Sequence, residues 1–126
     1  MNNPKVDIIL PNFNSSDFIL KTVQSIKKQS YKNWKLVIVD DNSNLKTKKI
    51  LKKISKYKKI KVYWSKKNNG AAHCRNFAIK QTNSPYIAFI DSDDLWEKNK
   101  LKAQVEFMKK NNISFSYTFY NTFGDK

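Results

Sequence analysis

Short apolar runs alternate along this chain with longer stretches in which apolar residues recur every three or four positions. The runs are typical of strands and cover residues 6–10, 34–39, 60–64, 86–90 and 113–120. The longer stretches predict amphipathic helices near residues 18–29, 44–57, 71–81 and 95–108. Apolar strands that alternate with helices predict a mostly parallel sheet covered on both faces. The pattern therefore favours the α/β class, with a Rossmann-like sheet flanked by helices.

Several residues mark the expected ends and packing faces of these elements. Pro11 is expected to stop the first strand, because proline has no N–H group for the ladder. Ser15 or Ser16 would cap the first helix, and Asn44 the second. Phe77 is expected to help pack the third helix against the sheet. These assignments leave polar loops after each strand, where chemistry can be placed.

The composition fits one folded domain without disulfides. The chain has 126 residues and is 40% hydrophobic, which is enough for a single domain with its own core. Cys74 is the only cysteine, so no intrachain disulfide forms and a reducing cytoplasmic location is expected. No apolar run approaches the roughly 20 residues of a membrane-spanning helix. The first residues also lack the pattern of a signal peptide.

The charge is strongly positive and unevenly spread. The formal net charge is +15, and eleven lysines fall between Lys46 and Lys67. Such a balance fits nucleic acid, an anionic membrane surface or an anionic small substrate as partner. Aromatic residues are not interleaved among these lysines as a base-stacking surface would require, so nucleic acid is not favoured. The simplest interpretation is a solvated lysine-rich face. Peripheral attraction to a membrane surface is a further interpretation, besides the solvated face and nucleic acid.

Two groups of carboxylates follow two of the predicted strands. Asp91-Ser92-Asp93-Asp94 comes directly after the apolar run 86–90, which is expected to be buried, and Asp40-Asp41 follows residues 36–39. Open α/β sheets bind ligands at the carboxyl ends of their strands. Clustered carboxylates also repel one another unless a cation or a hydrogen-bonded ligand satisfies them. The two groups therefore predict one shared site, against the simpler reading of two solvated turns.

The acidic groups point to a divalent cation more than to a glycine-rich phosphate loop. Gly70 and Gly124 are the only glycines, so neither a dinucleotide fingerprint nor a Walker A loop is present. Asp91 and Asp93 lie two positions apart, so they point to the same side if the strand geometry continues. Mg²⁺ typically takes one or two carboxylates together with phosphate oxygens. If the chain binds a nucleotide, it must therefore do so through acidic and polar groups together with a metal.

Five segments resemble the family 2 glycosyltransferases, which carry the GT-A fold. They are residues 6–14 (VDIILPNFN), 29–34 (QSYKNW), 37–43 (VIVDDNS), 69–76 (NGAAHCRN) and 86–94 (YIAFIDSDD). They occur in the order of the family, and the resemblance extends over about residues 6–104. It implies that residues 1–126 form one nucleotide-sugar-binding domain, the N-terminal part of a longer enzyme. Such enzymes transfer a sugar from a nucleotide diphosphate to an acceptor hydroxyl, usually with inversion.

The resemblance also implies roles for residues that would hold the nucleotide. Pro11, Asn12 and Asn14 would line the nucleotide pocket. Asp40 would accept a hydrogen bond from the base, and Asp41 would support that loop. A uridine nucleotide is the expected donor, because the family often uses one.

A second set would act on the diphosphate and the sugar. Arg75 would approach the base or the diphosphate, and Ser92 would lie in the donor pocket. Asp91 would contact the ribose or the metal with its water, and Asp93 would ligate Mg²⁺ or Mn²⁺. Asp94 would orient the donor sugar.

The chain departs from the family pattern at two places. The family often has a small residue where His73 and Cys74 stand, and these are interpreted as a solvated and a packing residue. No residue matches the acidic catalytic base of the family, since Glu97 and Glu106 read as helix-surface residues. The catalytic residue is therefore unknown, and the chain is expected to bind donor without transferring sugar by itself.

The implied partners are a nucleotide-diphosphate sugar and a sugar or lipid-linked acceptor, as in cell-surface polysaccharide or lipooligosaccharide synthesis. The implied location is cytoplasmic, peripheral on the inner face of the membrane. Self-association is expected through residues 113–123, which are rich in aromatics and carry no charge. Two alternatives remain at this stage: a metal-dependent nucleotidyltransferase-like domain and a non-enzymatic basic binding module.

Overall fold

The computed structural model describes residues 3–111 and confirms the alternating α/β pattern. In chain order, the elements are β1 Val6–Asn12, α1 Ile19–Lys27, β2 Trp34–Asp40, α2 Leu45–Ile54, β3 Ile60–Trp64, α3 Ala71–Lys80, β4 Tyr86–Phe89 and α4 Lys100–Lys110. The strand predicted at residues 113–120 and the self-association segment 113–123 lie outside the described residues.

The four described strands form one parallel sheet in the order β3-β2-β1-β4. The chain first winds outward from β1 to β2 and β3, and then returns to place β4 on the other side of β1. The winding direction therefore reverses between β1 and β4. In open α/β sheets, this reversal opens a crevice at the carboxyl ends of the two strands, where ligands bind.

Helices cover both faces of the sheet, as the sequence predicts. One face carries the larger core, in which Ile8, Leu10 and Ile38 pack against apolar side chains of α1, α2 and α4. The opposite face carries a smaller core, in which Ile9, Val37 and Val39 pack against α3. The Rossmann-like α/β architecture is thus confirmed for the described part of the chain, with three helices on one face and one on the other.

The prediction that Pro11 ends the first strand is wrong, because β1 continues to Asn12. Alternate residues of a parallel strand bond to opposite neighbours. The Ile9 carbonyl accepts from Ile90 on the β4 side, and the Asn12 carbonyl accepts from Asp41 on the β2 side. Pro11 therefore faces the β4 side, where strand pairing has already ended at Ile9 and Phe89. Its missing N–H costs no ladder bond there.

The predicted serine cap of α1 is also wrong. Phe18 occupies the N-cap position, without a side-chain hydrogen bond. The Ser15 hydroxyl instead donates to the Asn12 side chain, and the Ser15 carbonyl accepts the N–H groups of Phe18 and Ile19. The Asn44 cap of α2 is confirmed, with its side-chain oxygen 2.9 Å from the Thr47 nitrogen.

Strand β4 is only half buried, which corrects the expectation of a fully buried strand. Ile87 and Phe89 are 39% and 50% exposed, whereas Ile90 beyond the strand is buried. They share the face that α3 covers, but α3 packs over β1 and β2. Phe77 is 37% exposed but packs on the sheet as expected, because its ring meets the Tyr63 ring of β3 edge-on with 5.3 Å between the centroids. The fully buried contacts of α3 come from Cys74 and Ala78.

Candidate functional site

The crevice at the reversal point contains a cavity of about 260 Å³ that joins the carboxyl ends of β1, β2 and β4 to the start of α3. Its lining consists of Pro11, Asn12, Phe13, Asp41, Ala71, Cys74, Asp91, Ser92 and Asp93. The structure therefore brings the two predicted acidic groups to one cavity, through Asp41 on one side and residues 91–93 on the other. Of this lining, Phe13, Ala71 and Cys74 were not among the predicted site residues.

Asp40 lies in a closed hydrogen-bond network beneath this cavity. It is fully buried, and its Oδ1 accepts from Asn12 Nδ2 at 3.0 Å and from the Ser43 hydroxyl at 2.5 Å. Its Oδ2 accepts from the Ser43 N–H at 3.0 Å. Both oxygens are thus engaged inside the chain. This arrangement joins the loop after β1 to the loop after β2, whereas the base contact implied by the resemblance stays a prediction.

Asp41 connects β2 to the start of α3. Its two oxygens accept the N–H groups of Asn69 and Gly70, each at 2.8 Å, and the Cys74 thiol donates to the same carboxylate. Burial by itself raises the pKa of Asp41, but these hydrogen bonds and nearby His73 outweigh it and hold the pKa below its usual value. Asp41 is therefore ionised at neutral pH and lines the cavity.

Asn14 links two loops and does not line the cavity. Its N–H donates to the Ser43 hydroxyl at 2.9 Å, and its side-chain oxygen accepts the Asn44 N–H at 2.7 Å. The residue has a φ of 49°, a left-handed conformation that asparagine tolerates better than most residues. Asn14 therefore joins the loops after β1 and β2 beside the cavity, and its contact with a nucleotide stays a prediction.

The acidic tetrapeptide forms a turn, so the strand geometry that was assumed for Asp91 and Asp93 does not continue into it. The Asp94 N–H donates to the Asp91 carbonyl at 3.0 Å, which closes a four-residue turn, and β4 has already ended at Phe89. The Ser92 carbonyl accepts from the Thr22 hydroxyl of α1 at 2.8 Å. The turn nevertheless places both Asp91 and Asp93 on the cavity wall.

Arg75 makes an ion pair with Asp91, with 3.0 Å between Nη2 and Oδ1. The two side chains are 37% and 59% exposed, so the pair is worth at most about 1 kcal/mol. Both residues line a neighbouring cavity of about 290 Å³, together with Phe89, Ile90 and Asp94. Because the ion pair is weak, an incoming anion can take over the guanidinium at small cost.

Asp94 lies at the edge of this second cavity. Partial burial raises the pKa of its carboxyl group, the charges of Asp91 and Asp93 raise it further, and the hydrogen bond from the Asp91 N–H offsets part of the change. A ligand that brings positive charge, or donates hydrogen bonds, would relieve this repulsion. A sugar hydroxyl is a suitable donor for the ionised carboxylate.

Cys74 is a packing residue, as predicted, and His73 is exposed, as predicted. Burial, together with the nearby Asp41 charge, raises the pKa of the Cys74 thiol to about 11. The cysteine is therefore a neutral thiol at physiological pH, which donates to Asp41 and does not act as a nucleophile.

The carboxylates at this cavity suit a divalent cation whose remaining ligands come from a bound substrate. Among residues 3–111, no group of three or more acidic, histidine or cysteine side chains is close enough to enclose a metal ion. Asp91 and Asp93 supply two hard oxygen donors at an accessible cavity. Mg²⁺ characteristically takes one or two protein carboxylates and draws further ligands from phosphate and water. A metal shared with a diphosphate therefore suits these residues better than a metal held by the protein alone.

The sequence matches glycosyl transferase family 2 over residues 7–126. A relative from Escherichia coli, the UDP-Glc:alpha-D-GlcNAc-diphosphoundecaprenol beta-1,3-glucosyltransferase WfgD, is 41% identical over 120 residues, which are 95% of this chain and 47% of that protein. A second Escherichia coli enzyme of the same printed activity, WfaP, is 42% identical over 91% of this chain and 45% of its own length. The chain thus spans less than half of these relatives.

A solved structure supports the same conclusion. The S. aureus protein TarS, residues 1–349, in complex with UDP-GlcNAc superposes with a TM-score of 0.79 at 32% identity, over 86% of this chain and 32% of that one. The order of strands, the carboxylates at the reversal point and the similarity of sequence and structure all agree. This chain belongs to glycosyl transferase family 2 and has the GT-A type of fold.

Proposed function

We propose that this chain binds a UDP-sugar at the cavity between β1 and β4, as the donor-binding part of a glycosyltransferase. The observation that carries the proposal is the meeting of Asp41, Asp91 and Asp93 at one cavity at the reversal point of the sheet. Open α/β sheets bind nucleotides at this place. The relatives WfgD and WfaP are named for a UDP-glucose donor, and TarS was solved with UDP-GlcNAc, which supports the choice of uridine.

We further propose that Asp91 and Asp93 hold Mg²⁺ or Mn²⁺ together with the diphosphate. When bound, the cation offsets the negative charge that the leaving nucleotide diphosphate develops. The chain contributes the two carboxylates and the turn that holds them, which the Thr22 hydroxyl fixes to α1. Asp91 can bind the cation once its ion pair with Arg75 is broken and Arg75 binds the diphosphate instead.

Arg75 is proposed to bind the diphosphate. Its guanidinium offers several donors in one plane, which suit phosphate oxygens. Helix α3 presents it at the mouth of the second cavity, and Asp41 fixes the start of that helix. Asp94, at the same cavity, is proposed to orient the sugar through a hydroxyl group. These residues position the donor and leave the catalytic base unassigned.

The acceptor is proposed to be a lipid-linked sugar, with inversion at the transferred carbon. WfgD and WfaP are named for an acceptor on diphosphoundecaprenol, and their sequences match this chain over more than nine-tenths of its length. We therefore propose that the enzyme works on the cytoplasmic face of a membrane, in cell-surface polysaccharide synthesis. Within residues 3–111, no helix has the length and apolarity required to cross a bilayer.

The metal role is tested by calorimetry of UDP binding. Wild-type protein should bind UDP more tightly with Mn²⁺ or Mg²⁺ than with EDTA, because the cation joins the carboxylates to the diphosphate. Asp93→Asn should remove most of this difference. Glu106→Gln makes the same change of charge on the exposed surface of α4 and should leave the difference unchanged. Equal wild-type affinity with and without metal would disprove the metal role.

The same titration distinguishes the alternatives from the sequence analysis. The family assignment supports a glycosyltransferase over a nucleotidyltransferase-like domain and over a non-enzymatic basic module. A donor-binding domain should prefer UDP to the other nucleoside diphosphates. Equal affinity for UDP, GDP, ADP and CDP would contradict a uridine-specific pocket.

A further inference from the structure

Two large apolar side chains are exposed where α2 begins and β3 ends. Leu45, the first residue of α2, is 67% exposed, and Trp64, the last residue of β3, is 43% exposed. Trp64 shares the sheet face of Ile60 and Val62, which belong to the larger core beside α2. Both exposed residues therefore lie on the same side of the sheet, at its carboxyl edge.

Lysines flank both apolar side chains. Lys46 and Lys49 lie in the first two turns of α2, and Lys66 and Lys67 follow β3, and all four are exposed. The sequence contains no aspartate or glutamate from Asn42 to Ile90, so no acid from this half of the chain compensates them. We call the six residues Leu45, Lys46, Lys49, Trp64, Lys66 and Lys67 the Leu45–Trp64 rim.

The combination of side chains decides what kind of partner suits the rim. Lysines alone would be satisfied by water and salt, as on any solvated surface. An exposed leucine gains nothing from stacking on a nucleic-acid base, whereas it gains free energy among acyl chains. Tryptophan is favoured at the interface between lipid headgroups and hydrocarbon. Lysines are attracted to anionic headgroups, and their long stems accompany the apolar groups.

The rim lies at the same edge of the sheet as the donor cavity. Trp64 pairs in register with Asp40, and the next residue, Asp41, lines the cavity. Asp40 and Asp41 also lie only a short loop before Leu45. A surface that binds the rim therefore lies beside the cavity mouth.

We propose that the Leu45–Trp64 rim docks this protein on an anionic lipid bilayer. The lysines supply the electrostatic attraction, and Leu45 and Trp64 enter the headgroup region. The inference deepens the proposed function and rests on it in one respect: docking brings the cavity mouth to the surface that carries a lipid-linked acceptor. The binding of vesicles itself needs no nucleotide and no metal.

The lysine contribution is tested by cosedimentation with vesicles. Wild-type protein should bind phosphatidylcholine vesicles that contain phosphatidylglycerol, should bind pure phosphatidylcholine far more weakly, and should lose affinity as salt rises. Each lysine near such a surface is worth about fivefold in affinity, so the double variant Lys46→Gln/Lys49→Gln should bind about 25-fold more weakly. The matched control Lys80→Gln/Lys110→Gln removes two exposed lysines outside the rim, which are the last residues of α3 and α4.

The apolar contribution is tested by tryptophan fluorescence. Trp34 is buried and Trp96 is half-buried, so Trp64 is the tryptophan best placed to report a change of medium. Anionic vesicles should shift the wild-type emission to shorter wavelength, and Trp64→Phe should lose most of that shift. An unchanged wild-type emission in the presence of bound vesicles would overturn the insertion of Trp64.

Three results would overturn the docking surface as a whole. They are failure to bind anionic vesicles, equal weakening by the rim and control double variants, and tighter binding to a single-stranded RNA homopolymer that depends on the same lysines. UDP binding, measured without vesicles, should be unchanged in Lys46→Gln/Lys49→Gln. Vesicle binding without UDP binding would therefore refute the proposed function and support the docking surface. UDP binding without vesicle binding would refute the docking surface alone.

Discussion

At the scale of single residues, two adjacent aspartates have different surroundings and different tasks. Asp40 is fully buried, and three donors from Asn12 and Ser43 satisfy it. Asp41 faces the cavity and binds the chain just before α3. Alternation of side chains at the end of a strand separates them, because successive residues point to opposite faces. Of these two adjacent aspartates, Asp40 therefore joins the loops after β1 and β2, whereas Asp41 forms part of the cavity wall.

Asp40→Ala is predicted to destabilise the fold more than a typical substitution. The change leaves the Ser43 N–H and the Asn12 amide buried without their acceptor, and each unsatisfied group costs about 1–3 kcal/mol. We expect a loss of about 2–4 kcal/mol in the free energy of unfolding, measured with urea. Asp17→Ala, at an exposed position, is the control. Unchanged stability with weakened UDP binding would instead favour a direct base contact for Asp40.

At the scale of elements, the start of α3 determines where Arg75 stands. Gly70 has φ 92° and ψ 160°, a conformation that is essentially restricted to glycine. This conformation lets the N–H groups of Asn69 and Gly70 converge on Asp41. The helix then runs from Ala71 and carries Arg75 to the cavity mouth. A backbone feature of one residue therefore positions a side chain five residues later.

Gly70→Ala is predicted to cost stability through its backbone conformation alone. An added Cβ would meet no atom within 4 Å, so there is no clash with a neighbour. The unfavourable φ and ψ should still cost about 1–3 kcal/mol in the free energy of unfolding. UDP affinity should fall as well, because the substitution would strain the hydrogen bonds to Asp41 that position α3. Asn42→Gly is the control, since Asn42 also has a positive φ of 61° and glycine accepts it readily. An equally stable Gly70→Ala would show that the loop relaxes.

At the scale of the whole molecule, the charges are separated. Five of the ten acidic residues, Asp40, Asp41, Asp91, Asp93 and Asp94, lie at or beneath the two cavities, whereas the net charge is +15. The overall field attracts an anionic nucleotide, but the walls it meets are acidic. The proposed metal and Arg75 resolve this conflict at the point of contact. Binding should therefore depend on both.

The described chain is predicted to bind donor without transferring sugar. Apart from Asp41, the acids that line the cavities are Asp91, Asp93 and Asp94, which are proposed to serve the metal and the donor. Glu97 and Glu106 are exposed and line neither cavity. With no base assigned among residues 3–111, the rate of transfer should be lower by about 10²–10⁴-fold than with a positioned base. A UDP-release assay with a lipid-linked GlcNAc acceptor measures this, with Asp93→Asn as the background. Acceptor-dependent release well above that background would contradict the prediction.

The sequence by itself determined the elements and the type of site. Apolar runs and helical periodicity located four strands and four helices, since these patterns reflect which side chains must leave water. The carboxylates at strand ends indicated the site, because parallel strands bring their carboxyl ends to one edge. Asn44 was recognised as a cap because its chemistry is local.

Only the tertiary structure decided features that depend on neighbours distant in sequence. Pro11 stays in β1 because β4 has ended beside it, which no local rule can reveal. Ile87 and Phe89 are exposed because α3 lies over β1 and β2, although the sequence of β4 reads as buried. Residues 91–94 form a turn and do not continue the strand as expected. The ion pair between Arg75 and Asp91 depends on how α3 lies relative to that turn. Local patterns report how each segment meets water, whereas register, strand order and coverage arise from contacts between segments.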